Sequence, residues 1–284
     1  VPRNNGVLNV TGVITRSSNI GAAKIAEKMP NQVFYDSVHN FGYGTRPGSG
    51  FPGESGGVLV SPARWSGSTK TTMSYGYGLS VTPLQIATAY SALGNGGRLI
   101  PPTFIKGQHN EARQVIAPNI ATDVVAMMET VVTQGGAKQA AVLGYHVAGK
   151  TGTARKAGPG GYERGHYNAL FAGVVPATNP RFATVIVIND PQAGKYYGGL
   201  VAAPVFHNVM DGALRLMDVP PDDIQSWLVA QQAGKTGLAP SVLPMPPADT
   251  VLPADAAAEF DAALPSAPAP AAATPPTAPA GGTQ

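Results

Sequence analysis

The chain has no cysteine among its 284 residues, and only 12% of its residues carry a formal charge. Without thiols it can form neither a disulfide nor a cysteine-based metal site, which suits an oxidising compartment. Its net charge of +3 comes without any long run of lysine or arginine. Because nucleic-acid binding needs clustered positive charge, we expect no nucleic-acid partner.

Long apolar runs are also missing. No stretch of the sequence reaches the roughly 18 apolar residues of a membrane-spanning helix, and no charged-then-apolar leader opens it. The chain begins Val1-Pro2-Arg3-Asn4, without an initiator methionine. We therefore expect a fragment of a longer protein.

Glycine and proline, in contrast, are abundant, with 35 and 27 residues, and they predict many turns and loops. From residue 234 onward the sequence consists mainly of alanine and proline with few charges. Such a segment buries too little apolar surface to offset its ordering entropy. We predict a folded domain over residues 1–233 and a disordered tail over residues 234–284.

Apolar side chains at helical spacing predict four helices, over about 18–29, 82–94, 119–134 and 203–217. The second has the clearest start, with Thr82 as cap, Pro83 in the first turn and Gln85 to close a capping box. The first 16 residues are predicted to be extended. Their core candidates are Val7, Leu8, Val10, Val13 and Ile14.

Two apolar runs, 169–175 and 182–188, predict strands. The turn between them, 176–180, is short enough for an antiparallel pair. The alternation of Tyr145 and Val147 predicts a third strand with one buried face, which leads into residues 148–154.

This third strand carries a lysine, two threonines and two glycines at residues 149–153 (Gly-Lys-Thr-Gly-Thr). A fixed cation beside two hydroxyl groups can grip a carboxylate, and the glycines let a ligand backbone lie close. The pattern is typical of an acyl-transfer site, where hydrogen-bond donors are fixed before negative charge develops.

The same residues also fit another motif. Residues 144–151 match the phosphate-loop pattern G-x-x-x-x-G-K-[ST] letter for letter. That motif needs a helix that begins at the lysine. The ten residues after Thr151 hold four glycines and a proline, which do not open a helix. We therefore favour the acyl-transfer interpretation over nucleotide binding.

Ser17-x-Asn19 at a helix start and residues 150–153 on a strand are two of the three signatures of the penicillin-recognising serine enzymes. The segments 41–44, 52–54, 77–85, 95–97 and 196–206 extend the likeness, in order, across about residues 5–222. Over that span the chain resembles the class B penicillin-binding proteins, and most closely their division-specific D,D-transpeptidases. The resemblance implies an α/β (α+β) fold with a mainly antiparallel sheet packed between helices.

The resemblance also implies catalytic roles. Ser17 would relay a proton towards the leaving D-alanine, and Lys150 would hold Ser17 and supply positive potential. Asn19 would orient the lysine of the S-x-x-K motif, whose serine is the family's nucleophile. No serine in this chain has a lysine three residues on. We therefore expect that the nucleophile lies upstream and that the chain alone is inactive.

The resemblance implies that a further set of residues binds the substrate. The hydroxyls of Thr151 and Thr153, with Gly152 between them, would grip the substrate carboxylate, and the Thr153 N–H would be one oxyanion donor. Tyr77 is a further candidate for the cleft. Other cleft-lining positions implied by the family are Arg155, Tyr167, Tyr196 and Tyr197.

The resemblance implies cross-linking of peptidoglycan stem peptides that end in D-Ala-D-Ala, during septum formation, with no cofactor or metal. β-Lactams would bind as substrate mimics, and other division proteins would be partners of the full-length form. The domain would be periplasmic and anchored in the inner membrane. Two alternatives stay open: a β-lactamase or carboxypeptidase on the same fold, and a non-catalytic docking or β-lactam-sensing module.

Overall fold

A three-stranded antiparallel sheet lies in the middle of the structure, between two groups of helices. The computed structural model describes residues 5–158 and 161–232. The predicted tail, 234–284, and the domain boundary before it lie outside the described residues.

Helices and two-residue strands precede the three long strands of the main sheet. In chain order, the helices are α1 (Val10–Thr15), α2 (Asn19–Glu27), α3 (Asn31–Asn40), α4 (Thr69–Met73), α5 (Pro83–Gly94), α6 (Pro118–Thr133), α7 (Gly198–Val201), α8 (Ala203–Leu216) and α9 (Ile224–Gln232). The strands are β1 (Val58–Leu59), β2 (Leu79–Ser80), β3 (Arg98–Leu99), β4 (Arg113–Gln114), β5 (Ala148–Gly158), β6 (Gly161–Val175) and β7 (Phe182–Asn189). Short 3-10 helices cover Pro62–Arg64 and Lys138–Ala140.

The main sheet has the strand order β5-β6-β7, and both strand pairs are antiparallel. Successive residues of a strand point to opposite faces. Phe171 on one face packs edge-on against Phe206 of α8, with ring centres 4.7 Å apart. Val174, three residues on, faces the other way into a cluster with α5 and α6 side chains. The sheet is therefore buried between helices on both faces, as predicted.

The predicted capping box at Thr82 is confirmed. The Thr82 hydroxyl accepts the Gln85 N–H at 3.1 Å, and the Gln85 Oε1 accepts the Thr82 N–H at 2.8 Å. The predicted helices over 18–29, 119–134 and 203–217 are confirmed as α2, α6 and α8, with ends shifted by up to two residues. The predicted antiparallel pair 169–175 and 182–188 is also confirmed.

The extended conformation predicted for the first 16 residues is wrong over its second half, which forms α1. Asn9 starts this helix, because its side chain accepts the Gly12 N–H at 2.8 Å. Val7 is fully exposed and Val10 is 53% exposed, so neither belongs to the core. Ile14 alone of the five core candidates packs against the buried clusters. The β-branched composition of this stretch favoured a strand, but six residues with a good cap close one helical turn locally.

Candidate active site

A hydrogen bond between Lys150 and Ser17 joins two segments 133 residues apart in the chain. The Lys150 Nζ donates to the Ser17 Oγ at 2.7 Å and to the Thr151 carbonyl oxygen at 3.1 Å. Lys150 pairs with Ala172 across β5 and β6, which places its side chain on the sheet face that carries α5 and α6. The structure thus brings together the lysine and serine of two separate sequence motifs.

Ser17 reaches Lys150 because of the sharp link between α1 and α2. Its φ is 53°, in the left-handed region that serine seldom adopts. The cap of α2 is its neighbour, Ser18, whose hydroxyl accepts the Gly21 N–H at 3.1 Å. Behind Ser17, the hydroxyls of Thr15 and Thr130 are in contact and tie α1 to α6. Ser18 therefore caps α2, and the Ser17 hydroxyl contacts Lys150.

Burial changes the acid–base chemistry of this pair. Loss of solvent around the ammonium group lowers the pKa of Lys150 from 10.5 to about 8. A lysine with such a pKa holds its proton weakly at neutral pH. Its partner Ser17 lies at the surface. The pair can therefore pass a proton between the sheet and the solvent-facing side of the cleft.

The two threonines of the motif lie on the opposite face from Lys150. Thr151 pairs with the buried Phe171, and Thr153 pairs with Ala169. The Thr153 Oγ1 accepts the Gly198 N–H at 3.1 Å, so the hydroxyl proton of Thr153 can be donated elsewhere. A side chain at Gly198 would collide with the Leu170 carbonyl oxygen, and this close approach is what brings the start of α7 onto the strand.

Gly152 lies between these threonines and above Leu170, its partner on β6. A Cβ atom at residue 152 would come within 2.8 Å of the Leu170 Cγ. The missing side chain at residue 152 thus leaves room for Leu170 on the sheet face that also carries Lys150, opposite the two threonines.

The outer edge of β5 carries amide groups that β6 does not pair. The Arg155 N–H donates to the Tyr77 hydroxyl at 3.3 Å and therefore points away from β6. The register is continuous from Ala148 to Arg155, and backbone groups two residues apart in a strand point the same way. The N–H groups of Thr151 and Thr153 therefore also point outward. The Lys150 contact with the Thr151 carbonyl agrees with this direction.

Three tyrosines form a row beside Thr153. The rings of Tyr167 and Tyr196 stack with centres 4.2 Å apart, and those of Tyr196 and Tyr197 lie 4.5 Å apart. Their hydroxyls meet as well, since the Tyr196 OH donates to the Tyr197 OH at 3.3 Å. Burial raises the pKa of Tyr197. Tyr167 pairs with Arg155 across the sheet, which connects this row to the strand.

A second aromatic group meets the β5 edge through the Tyr77 hydroxyl. Tyr77 is only 7% exposed and meets Tyr162 edge-on, with ring centres 5.1 Å apart. Tyr77 was a candidate from sequence, but Tyr162 was missed. The two are 85 positions apart, and no local pattern joins them. The Gly78 N–H, which donates to the Tyr162 OH at 3.4 Å, completes this contact.

Asn19, the remaining candidate, is the first residue of α2 and is half-buried. Within residues 5–158 and 161–232, its side chain makes no hydrogen bond. A cavity of about 540 Å³ lined by Phe41, Gln85 and Arg113, among others, contains none of the candidate residues. The candidate site therefore lies outside this cavity, along β5.

The phosphate-loop interpretation fails on this geometry. Lys150 lies inside β5, which continues to Gly158, and no helix begins at the lysine. In the described part of the chain, no three His, Asp or Glu side chains are grouped to hold a metal ion. Among the helices described, none combines the length and apolar character that crossing a membrane requires.

A serine–lysine pair beside outward strand amides, on an antiparallel sheet between helices, is the architecture of a penicillin-recognising acyl-transfer fold. The family model "Penicillin binding protein transpeptidase domain" matches residues 2–211. The chain belongs to this family.

Among its relatives is the peptidoglycan D,D-transpeptidase FtsI of Escherichia coli, which is 44% identical over 237 residues, covering 81% of this chain and 40% of FtsI. A probable peptidoglycan D,D-transpeptidase, PbpC of Pseudomonas aeruginosa, is 41% identical over 77% of this chain and 39% of its own. The chain thus spans about 40% of the length of these relatives.

Solved structures agree with the fold. The apo transpeptidase domain of Burkholderia pseudomallei penicillin-binding protein 3 matches with a TM-score of 0.72 and 41% identity, over 77% of this chain and 67% of that one. Penicillin-binding protein 3 of Mycobacterium tuberculosis, solved with ampicillin, matches with a TM-score of 0.70 and 34% identity. The match covers 75% of this chain and 52% of that one.

Proposed function

We propose that the chain carries the cleft of a peptidoglycan D,D-transpeptidase that cross-links stem peptides through a serine acyl-enzyme. The observation that carries the proposal is the 2.7 Å contact between the Lys150 Nζ and the Ser17 Oγ beside the outward Thr153 amide. It supplies a proton relay and an oxyanion donor at one place. The sequence holds no S-x-x-K serine, and we assign the nucleophile to an upstream segment of the parent protein.

In this proposal Ser17 and Lys150 work as a unit. As the donor amide breaks, Ser17 delivers a proton to the departing D-alanine nitrogen, and Lys150 supplies that proton. The lowered pKa of Lys150, about 8, reduces the energy needed to give up a proton near neutral pH. Asn19, two residues after Ser17 at the start of α2, would orient the lysine of the S-x-x-K motif.

The Thr153 N–H stabilises the negative charge that develops on the donor carbonyl. It belongs to a strand, so it is fixed before the reaction and does not reorganise. Loss of one such donor costs about 3 kcal/mol in barrier height. The second donor would be the N–H of the nucleophilic serine.

The donor carboxylate is held by hydroxyl groups. Thr153 accepts the Gly198 N–H, which leaves its own O–H to donate to a carboxylate oxygen. Thr151 offers a second hydroxyl on the same face, with Gly152 between them. The row of Tyr167, Tyr196 and Tyr197 lies against the rest of the ligand, and Arg155 extends this wall.

We place this reaction in the periplasm, where peptidoglycan is made, in a membrane-anchored parent protein engaged in septum formation with other division proteins. The relationship to FtsI supports this assignment. β-Lactams are the expected inhibitors, since a related penicillin-binding protein 3 was solved with ampicillin.

The test restores the nucleophile. The chain is joined to the leading segment of the Burkholderia pseudomallei transpeptidase domain, where the family resemblance places S-x-x-K, and is incubated with a fluorescent penicillin. We expect the joined protein to be labelled and the chain alone to stay unlabelled. Lys150→Ala should slow labelling roughly 30- to 1000-fold, the effect of removing an electrostatic donor.

Lys156→Ala is the matched control, because it removes a lysine from the same strand outside the Ser17 contact. It should be labelled as fast as the parent. Equal labelling of the Lys150→Ala variant and the parent would contradict the proposed relay.

The absence of S-x-x-K also favours a second function for the chain by itself, as a non-catalytic module that binds β-lactams. A saturable shift in the melting temperature of the unjoined chain with ampicillin, without a covalent band, would support this function.

A further inference from the structure

The outer edge of β5 presents backbone groups at every second residue: Thr151, Thr153 and Arg155. An open edge of this kind can bind an extended peptide by strand addition, with one hydrogen-bonded pair for every two residues. A peptide that lay along all three positions would gain hydrogen bonds at each of them. The neighbouring side chains decide how many of these positions are open.

Two of the three positions are already engaged. The Thr151 carbonyl accepts a hydrogen bond from the Lys150 Nζ at 3.1 Å. The Arg155 N–H donates to the Tyr77 hydroxyl at 3.3 Å. Thr153 lies between them, and both of its backbone groups face outward. The edge therefore offers one complete pairing position, at Thr153.

Tyr77 is held in this place from several sides. It is 7% exposed, and its ring meets those of Tyr162 and Tyr75 edge-on at 5.1 and 6.2 Å. Its own N–H donates to the Thr72 carbonyl at 3.0 Å. A hydroxyl fixed in this way cannot swing aside at low cost when a peptide approaches, so it competes with any peptide carbonyl for the Arg155 N–H.

We propose that Tyr77 is a specificity-determining residue that ends the pairing edge of β5, so that a stem peptide pairs with the enzyme through a single residue at Thr153. The ligand class, peptides ending in D-Ala-D-Ala, rests on the proposed function. Residues further along the stem then gain no strand hydrogen bonds. Short acyl donors and compact β-lactams therefore bind as tightly as long peptides. Extended segments of other proteins obtain no additional affinity from the open edge.

The contact itself is tested first, in the unmodified chain and without a ligand. Tyr77→Phe keeps the ring but removes the acceptor of the Arg155 N–H. Amide hydrogen exchange, followed by NMR, should speed up at Arg155 by about tenfold or more and stay unchanged at Ala169 on β6. Tyr162→Phe is the matched control, because it removes a hydroxyl from the same aromatic group that accepts the Gly78 N–H and not the Arg155 N–H. An unchanged exchange rate at Arg155 in Tyr77→Phe would overturn the proposal.

The specificity role is tested with acetylated peptides of two, three and five residues that end in D-Ala-D-Ala, titrated into both proteins by NMR. In the parent chain we expect dissociation constants that agree within about twofold across the series. In Tyr77→Phe the five-residue peptide should bind about three- to tenfold more tightly than the dipeptide, the worth of one added hydrogen bond. If Tyr77 had a purely structural role, Tyr77→Phe would bind all three peptides more weakly, by the same factor.

The outcomes separate this proposal from the proposed function. If the peptides bind, and their dissociation constants are independent of length in both the parent and Tyr77→Phe, the role of Tyr77 is overturned. The proposal that the chain binds D-Ala-D-Ala donors then still stands. If affinity rises with peptide length by the same factor in both proteins, the role of Tyr77 is also overturned. If no peptide binds either protein, both the specificity role and the proposed donor are overturned.

Discussion

Ser17 combines a functional contact with a backbone conformation that favours glycine. Its φ of 53° puts the Cβ atom close to the following carbonyl, while its hydroxyl meets Lys150 at 2.7 Å. We expect Ser17→Gly to be more stable than Ser17→Ala by about 1 kcal/mol, because only glycine adopts this φ freely. Urea unfolding of both variants measures the difference. In the joined protein both should lose penicillin labelling alike, since both lack the hydroxyl. Equal stability of the two variants would show that the backbone at residue 17 is unstrained.

Lys150 should make stability depend on pH. Burial lowers its pKa to about 8 in the folded chain, against 10.5 for the free side chain. Between these values the unfolded chain binds more protons, so the free energy of unfolding rises with pH over that interval. We expect the parent to gain up to about 3 kcal/mol relative to Lys150→Met between pH 7.5 and 10.5. Below pH 7 the difference between the two proteins should be flat.

Unfolding curves of the parent and Lys150→Met across this range check the expectation. Groups that titrate in both proteins cancel in the difference, so no further correction is needed. A difference that falls with rising pH would mean that Lys150 is stabilised in its charged form in the folded chain.

For single residues, the sequence predicted function where the residue type itself is unusual for its structural position. Lys150 and Thr153 were identified because a cation and hydroxyls beside glycines have few structural uses on a strand. The contact of Tyr77 with Arg155 was not predicted, because it joins residues 78 positions apart through a backbone N–H that any residue would offer. Such contacts depend on packing and leave no local pattern.

Helix α5 owes its clear sequence signal to one residue that also fixes a distant loop. The Gln85 Nε2 donates to the carbonyls of Gly42, Thr45 and Gly56 at 3.1, 2.8 and 2.8 Å, and its side chain is 2% exposed. Gln85→Leu would remove this part-buried donor from all three carbonyls, although the Gly42 carbonyl keeps the Thr45 hydroxyl as a donor at 3.0 Å. We expect a loss of about 2–4 kcal/mol in the free energy of unfolding.

Gln114 provides the matched control. Its Nε2 also donates to two backbone carbonyls, of Gly96 and Ile116, but the residue is exposed and water can replace it. Gln114→Leu should cost less than about 1 kcal/mol. Similar costs for the two variants would show that burial does not decide the effect at Gln85.

Elements with a strong local signal were predicted, and elements that depend on tertiary packing were not. Helix α5 has a capping box, and α6 and α8 have apolar faces that match the helical period. Helix α3 is mostly polar, buries only Phe34 and starts without a side-chain cap, so little of its apolar surface is available as a sequence signal. Helix α9 has no buried residue at all and was missed for the same reason.

For the whole molecule, the two edges of the sheet differ in kind. The β5 edge carries the polar motif and is partly engaged by Lys150 and Tyr77. The β7 edge (Phe182–Asn189) reads FATVIVIN, without a charge, and among the described strands it pairs only with β6. Helices cover both of its faces. This composition is typical of a strand with neighbours on both sides, and edge strands usually carry protective charges.

We therefore expect the chain to self-associate through β7 at roughly micromolar concentration. Val187 is 38% exposed on this strand, and Val187→Lys should shift the association to higher concentration, because a lysine on an edge opposes further pairing. Val205→Lys is the matched control: Val205 is 37% exposed but lies on α8, so it adds the same charge away from the edge. Sedimentation velocity over a concentration series measures both variants. If both reduce association equally, net charge and not the β7 edge governs it; if neither does, association has another surface.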